Sequence, residues 1–303
     1  MPVNEPITDP PQIPVVLTIA GSDNSGGAGI QADLKTFTTM GVFGTTAVTC
    51  IVAEHPGRVS GIESVSVHSV KEQIRLVCEA FPVKAMKTGM LYSQEIIEAV
   101  HEVLIDIDDQ IPLVVDPVMV ASSGAKLMQD EAIAALKKLL LPRATLVTPN
   151  RDEAMLLSGE VIKNHDDLRR VAQRLANQFG VPFLVKGGHL KEMAALDVLA
   201  IGKILHEFSE PMVPDVNPHG TGCTFSAAIT ASLAQGIPLI SAVGLGKQFI
   251  TRAIKNRFRI GSYDLLNQLP EHPYVDGASP YAPTCQGKGG HLPLSSQEKA
   301  GSN

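Results

Sequence analysis

Short apolar runs of strand length alternate with longer stretches in which apolar residues return every third or fourth position. Val15-Val16-Leu17-Thr18-Ile19-Ala20 is the first run, and it ends in a glycine loop, Gly21 to Gly29. Beyond the loop Ile30, Leu34 and Phe37 stand at i, i+4 and i+7, which predicts a helix closing near Gly41. Thr46 to Ala53 is β-branched and apolar, and Val59 to Val67 alternates, so two more strands are expected. A helix over Val70 to Phe81 leads to a strand over Val83 to Lys87. A second, Glu95 to Ile107, leads to Pro112–Asp116, and a third, Glu131 to Leu141, to Ala144–Asn150. A fourth, entered through Asn164 and its acidic first turn, leads to Pro182–Gly188. Two short strands near Leu196–Ile201 and Ile204–Phe208 read as a hairpin turning at Gly202-Lys203, and two further helices follow, the last starting at Pro238. Continuous apolar strands separated by amphipathic helices imply an α/β fold whose mainly parallel sheet is covered on both faces.

The ends break the pattern. Residues 1–14 hold five prolines and no periodicity, which predicts a flexible tail, and from about Pro270 the chain is rich in Pro, Gly and Ser, which predicts disorder over 270–303. One domain over 15–269 is expected between them.

Chemistry concentrates in Asn217-Pro218-His219-Gly220-Thr221-Gly222-Cys223-Thr224. Gly220 and Gly222 let the backbone approach a ligand, and Phe225, Ile229 and Leu233 behind them mark a helix that stops at Gly236. A glycine turn opening a helix leaves N–H groups without intrahelical partners at the positive end of the helix dipole, which binds anions. Cys223 sits in that first turn, where a thiol pKa is expected to fall. In open parallel sheets ligands lie beyond the carboxyl ends of the strands. Gly21 to Asp23, Glu54, Lys87 to Met90, Asp116, Asn150 with Glu153, and Lys186 to Gly188 would all converge there, a mixture of acid, base and amide that fits a nucleotide and Mg²⁺. Asp116 and Glu153 are the candidate Mg²⁺ ligands.

Composition narrows the classes. With 303 residues and 44% hydrophobic content the chain can bury a large core, and a net charge of −6 gives no reason to expect a nucleic-acid surface. No apolar run reaches membrane-spanning length, and the start lacks the basic and apolar segments of a signal peptide, so a cytoplasmic protein is expected. Cys50, Cys78, Cys223 and Cys285 form no C-x-x-C pair, consistent with a reducing compartment. A rival reading comes from Gly27-Ala28-Gly29-Ile30-Gln31-Ala32, which matches G-x-G-x-x-G/A and would suit a dinucleotide-binding oxidoreductase. Against it, the residues from Gly21 to Gly26 separate the strand from a glycine that should stand directly after it.

Several motifs together resemble the hydroxymethylpyrimidine and hydroxymethylpyrimidine-phosphate kinases of thiamine biosynthesis, in the ribokinase superfamily. They are Leu17-Thr18-Ile19-Ala20-Gly21-Ser22-Asp23, Ser25 to Thr36, Lys87-Thr88-Gly89-Met90-Leu91, Asp116-Pro117-Val118-Met119-Val120, Thr148-Pro149-Asn150 with Glu153-Ala154, Val185-Lys186-Gly187-Gly188-His189, and His219 to Thr224. The resemblance implies a three-layer αβα kinase, usually a homodimer, that uses ATP and Mg²⁺ to phosphorylate a small molecule: the pyrimidine's hydroxymethyl group, then the monophosphate. Carried over by motif, Gly21, Asp33, Met90 and Val118 line the pyrimidine pocket with Cys223 beside the reacting hydroxyl. Asn150, Glu153, Lys186, Gly188 and Thr221 serve the nucleotide, and Gly220, Thr221, Gly222 and Cys223 stabilise the transferring phosphoryl group. One position departs from the family, whose usual residue after the second strand is glutamine. Here it is Glu54, which when ionised accepts hydrogen bonds but cannot donate to a ring nitrogen. Pyridoxal or pyridoxine kinase is therefore the alternative substrate assignment.

Overall fold

Strands whose apolar residues run without a break need cover on both faces, and the segments between them are long enough to supply it. The computed structural model describes residues 12–119, 127–188, 194–214, 216 and 219–269. In chain order the elements are β1 (Val15–Asp23), α1 (Gly29–Thr39), β2 (Phe43–His55), β3 (Arg58–Ser64), α2 (Val67–Ala80), β4 (Val83–Thr88), α3 (Gln94–Ile105) and β5 (Leu113–Val115). Then come α4 (Asp130–Ala135), β6 (Leu146–Val147), α5 (Arg151–Ser158), α6 (His165–Phe179), β7 (Phe183–Lys186), β8 (Ala194–Ile201) and β9 (Ile204–Pro211). The last are α7 (Thr221–Ala234), α8 (Leu239–Lys255), β10 (Phe258–Ile260) and β11 (Tyr263–Leu265).

Nine strands form one sheet in the order β3-β2-β1-β4-β5-β6-β7-β8-β9. The run from β2 to β7 is parallel, while β3 at one end and β8 and β9 at the other are antiparallel. The strand period of two divides the core. Leu17 and Ile19 of β1 face a layer built by α2, α3, α5 and α6, whereas Val16 faces Phe37 of α1 and Ala227 and Ala231 of α7. Val114 of β5 likewise joins Phe225 and Ile229 of α7 and Val243 of α8. The result is the expected αβα sandwich.

Helix α7 is apolar around nearly its whole circumference, so it is buried as a central rod between the sheet, α1 and α8. Its hydroxyls donate back within the helix, Thr230 to the Ser226 carbonyl and Ser232 to the Ala228 carbonyl. Whatever its N-terminus holds is therefore held rigidly.

The differences from the sequence reading have local causes. Strand β1 runs on through Gly21, Ser22 and Asp23 with a bulge after Ala20, where a loop was expected. The helix expected over 131–141 ends as α at Ala135, passes through a π turn at Leu136–Leu140 and closes as a 3₁₀ turn at Leu141–Arg143, where Pro142 removes a donor. Helix α5 was not foreseen, nor was the β10–β11 hairpin, and Pro238 caps α8 from just outside it. Val120, His189, Asn217, Pro218, Cys285, residues 1–11 of the expected N-terminal tail and the expected tail 270–303 lie outside the described residues. No helix among the described residues is long and apolar enough to cross a membrane.

Candidate active site

At the carboxyl ends of the parallel strands a cavity of about 460 Å³ opens. Its wall brings together Gly21, Glu54, Met90, Asp116, Val118, Asn150, Glu153, Lys186, Gly188, Gly220, Thr221, Gly222 and Cys223. Val118 holds φ at +43° there, an uncommon conformation for a β-branched residue. Asp33 is the exception. It was expected in the wall, yet it is fully buried beneath it, because α1 turns Ala32, Asp33, Thr36 and Phe37 inward.

The cradle rests on one backbone conformation. Gly220 caps α7 at φ +84° without a side-chain cap, so the helix presents its first amides to the cavity. A Cβ on Gly220 would lie 1.8 Å from the Gly27 carbonyl oxygen, and one on Gly27 would lie 2.8 Å from His219 Cδ2. The Gly27–Gly29 segment thus packs against the Gly220 turn, which is why it has no room to wrap a pyrophosphate as the dinucleotide reading required. Asp23 fastens the same segment, accepting from the Ser25 and Ala28 amides at 2.7 Å each and facing His219 Nε2 at 2.9 Å.

Below the cradle lie two cations, Lys87 fully buried and Lys186 partly so. Lys87 Nζ donates to Asp33 Oδ2 at 3.0 Å, and Thr18 Oγ1 donates to the same oxygen at 2.6 Å. Lys186 Nζ donates to Asp116 Oδ1 at 3.1 Å, while Thr148 and Ser226 hydroxyls donate to the two Asp116 oxygens. Lys186 lies directly under the turn, since a Cβ on Gly222 would be 3.1 Å from its Nζ. The expectation of a low Cys223 pKa is not met. Burial pushes its thiol up to about 12, with Lys87 opposing and the Asp33 and Asp116 carboxylates adding to the rise. The helix terminus is outweighed, and Cys223 is a thiol.

Asn150 and Glu153 form a reciprocal capping box at the start of α5. Asn150 Oδ1 accepts from the Glu153 amide at 2.9 Å, and Glu153 Oε2 accepts from the Asn150 amide at 2.8 Å. Glu153 Oε1 also accepts from the Met119 amide, so both its oxygens are occupied. Burial raises Glu153 to about 7, against the pull of Lys186. A carboxylate that prefers its proton in the folded state stabilises the fold below its unfolded pKa near 4.5, and loses that contribution as pH rises through about 7. Glu153→Gln is therefore expected to remove a declining component of stability between those limits. Urea midpoints of both proteins across the range check this, and parallel curves would contradict it. Asp116 and Glu153, the candidate Mg²⁺ ligands, are both buried beside Lys186, with the Glu153 oxygens engaged by the Met119 and Asn150 amides, so a Mg²⁺ there would be held largely through water and phosphate oxygens. Elsewhere among the described residues Asp23, Glu54 and His219 cluster, but Asp23 Oδ2 and His219 Nε2 already bond each other.

The sequence reading missed the far end of the cavity. Lys247 of α8 donates to Asp197 Oδ2 and to the Ala195 carbonyl at 2.7 Å each, and Asp197 Oδ1 accepts from the Gly187 amide at 3.0 Å. Phe225, Ile250, Ile254, Met212 and Val213 add apolar walls there, of the kind a nucleotide base needs. Lys247 stands in an amphipathic helix, where a lysine ordinarily points to water, so only the tertiary fold reveals its pairing.

A β-bulged first strand, an amide cradle opening a buried helix and paired lysines at the strand ends define a ribokinase-like small-molecule kinase. The phosphomethylpyrimidine kinase family model matches residues 23–267. The chain is 45% identical over 240 residues to the thiamine biosynthesis bifunctional protein of Geobacter sulfurreducens, covering 79% of this chain and 49% of that protein. It is 41% identical over 249 residues to the hydroxymethylpyrimidine/phosphomethylpyrimidine kinase of Bacillus subtilis, covering 81% and 91%. The crystal structure of an ADP complex of Bacillus subtilis pyridoxal kinase superposes with a TM-score of 0.77 at 38% identity, covering 85% of this chain and 98% of that one. The chain belongs to the phosphomethylpyrimidine kinase family, and the oxidoreductase alternative falls.

Proposed function

We propose that the protein transfers the γ-phosphoryl group of ATP to 4-amino-5-hydroxymethyl-2-methylpyrimidine and then to its monophosphate, serving thiamine biosynthesis. The observation that carries this reading is the amide cradle of Gly220 to Cys223 over Lys186 and Asp116, in a chain aligned with pyrimidine kinases over most of its length. The nucleotide lies toward Lys247 and Asp197 with its phosphates reaching Asn150, Lys186, Gly188 and Thr221. The pyrimidine lies against Gly21, Met90, Val118 and Glu54. Asp116 and Glu153 would hold Mg²⁺, which when bound would supply charge neutralisation for the phosphates. The chain's own groups do the rest. The cradle amides meet negative charge as it develops on the transferring group, and the fixed Lys186 ammonium faces the same region without reorganising. Cys223, as a thiol, donates a hydrogen bond that holds the substrate hydroxyl in line, and once bonding to phosphorus has made that hydroxyl acidic its proton passes to a phosphoryl oxygen or to water.

Cys223→Ala is accordingly expected to lower kcat by about 10²-fold or more while changing KM little, the pattern of a group that acts in the transition state. Equal kcat would make Cys223 a packing residue. The reading as a whole is tested by ADP release with the pyrimidine and with its monophosphate supplied separately. Release with both supports it, and release with neither refutes it. The pyridoxal reading keeps its place because a pyridoxal kinase has this fold at 38% identity.

Two further parts of the proposal concern setting. The exposed apolar side chains Phe43, Ile51, Leu76 and Phe81, with Phe43 and Phe81 rings 6.0 Å apart, suit burial against a second copy as a homodimer. Cys50, Cys78 and Cys223 are free thiols, which fits a reducing cytoplasm.

A further inference from the structure

Glu54 ends β2 in the cavity wall, with its backbone amide donating to Asn24 Oδ1 at 2.7 Å and its side chain 13% exposed. Its Oε2 lies 4.0 Å from His219 Nε2, and that nitrogen is bound to Asp23 Oδ2 at 2.9 Å. His219 directly precedes the cradle, so Glu54 flanks the place where the reacting hydroxymethyl group must sit. In the pyrimidine the carbon next to the one bearing that group carries the amino group, and the ring nitrogen follows. With the hydroxymethyl group in the cradle, and with Val52, Met90 and Val118 taking the apolar ring, this amidine edge falls to Glu54.

Resting on the pyrimidine reading above, we propose that Glu54 binds the substrate as an amidinium–carboxylate pair, its two oxygens accepting from the amino group and from a protonated ring nitrogen. The pair has the geometry of a bidentate arginine–carboxylate contact, with two parallel charge-assisted hydrogen bonds. Glutamine would make two bonds to the same edge with no extra proton, its carbonyl accepting and its NH₂ donating. The glutamate therefore binds one proton along with the substrate. A neutral ring and an ionised carboxylate enter, solvent supplies one proton, and the complex holds it between ring and carboxylate. A pyridoxal ring presents no amidine edge, so the same residue selects against it.

The surroundings leave Glu54 as the group able to take up this proton. Burial raises its pKa, the Asp23 carboxylate adds to the rise, and His219 opposes it. Burial would raise Asp23 as well, but hydrogen bonds from His219, Ser25 and Ala28 outweigh it and hold that carboxyl well below the usual range. The Asp23 partnership raises His219 against the effect of burial. Within β2 Cys50 is fully buried behind Gly21, its thiol pushed by burial up to about 11, and His55 turns away to the Tyr263 hydroxyl of β11 at 3.1 Å.

The test is calorimetric binding of the hydroxymethylpyrimidine without ATP, at about pH 8.5 in two buffers of different ionisation heat. The expected result is uptake approaching one proton per ligand bound, with Kd rising about tenfold per pH unit across the alkaline range. Glu54→Gln is expected to bind with no uptake and a flat Kd. The same pyrimidine lacking its amino group is expected to bind the unaltered protein weakly and without uptake, a control that needs no variant to fold. Absence of uptake in the unaltered protein, or equal uptake in Glu54→Gln, overturns the pairing while ADP release with the pyrimidine keeps the kinase reading intact. Failure of the unaltered protein to bind or phosphorylate the pyrimidine overturns both.

Discussion

Gly220→Ala is expected to lower kcat by roughly 10²–10³-fold, because it removes the alignment of the cradle amides. Two independent facts combine at this position. The backbone holds φ at +84°, a region that a residue with a Cβ rarely adopts, and the added methyl group would meet the Gly27 carbonyl oxygen at 1.8 Å. That oxygen belongs to backbone pinned by Asp23, so it cannot swing aside as the tip of a long side chain could. The turn must shift instead, and the amides of Thr221, Gly222 and Cys223 shift with it. Stability is expected to fall by about 1–3 kcal/mol from the strain. Helix α7 should survive, since its buried length is set by the core. Kinetics together with urea unfolding separate the two effects, and a folded Gly220→Ala protein with unaltered kcat would show that the cradle does not act on the phosphoryl group.

Lys87→Met is expected to destabilise the fold by about 3–5 kcal/mol. Lys87 and Asp33 are both fully buried and 3.0 Å apart, so removing the ammonium leaves a carboxylate with the Thr18 hydroxyl as its remaining donor. Burial already raises the Asp33 pKa, and Lys87 opposes that rise. The double variant Lys87→Met with Asp33→Asn should recover part of the loss, because no uncompensated charge remains. Urea denaturation of the four proteins of this cycle gives the coupling directly. A single-variant cost under about 1 kcal/mol would mean that the pair is solvated in solution.

The α/β order was legible because β-branched apolar runs and helical periodicity differ in period and length. Helix α5 escaped notice because its eight residues give barely two turns of pattern, although Asn150 and Glu153 in capping-box spacing were a usable signal. Strand β6 is reduced to Leu146–Val147, although the Thr145 and Thr148 amides on either side of it donate to the Leu113 and Val115 carbonyls of β5. Most of the residues expected at the strand ends do converge on one cavity wall, because parallel topology brings those ends together whatever the sequence between them. Asp33 was misplaced for a reason visible afterwards. The inward stripe of α1 runs through Ala32, Asp33, Thr36 and Phe37, and its polar members are buried by their partners instead of turned to solvent. The thiol of Cys223 was misjudged because a helix terminus is a local feature, whereas Lys87, Asp33 and Asp116 come from elsewhere in the chain. The Asp23–His219–Glu54 group lay beyond reach for the same reason, since its members stand on β1, the turn before α7 and β2.

The most direct test of substrate identity is kcat/KM with saturating ATP and Mg²⁺ for the hydroxymethylpyrimidine against pyridoxal. The site geometry predicts a ratio of about 10-fold or more in favour of the pyrimidine, since Glu54 finds its hydrogen-bonding edge only there. A ratio in favour of pyridoxal would contradict the assignment and move the enzyme to vitamin B6 salvage.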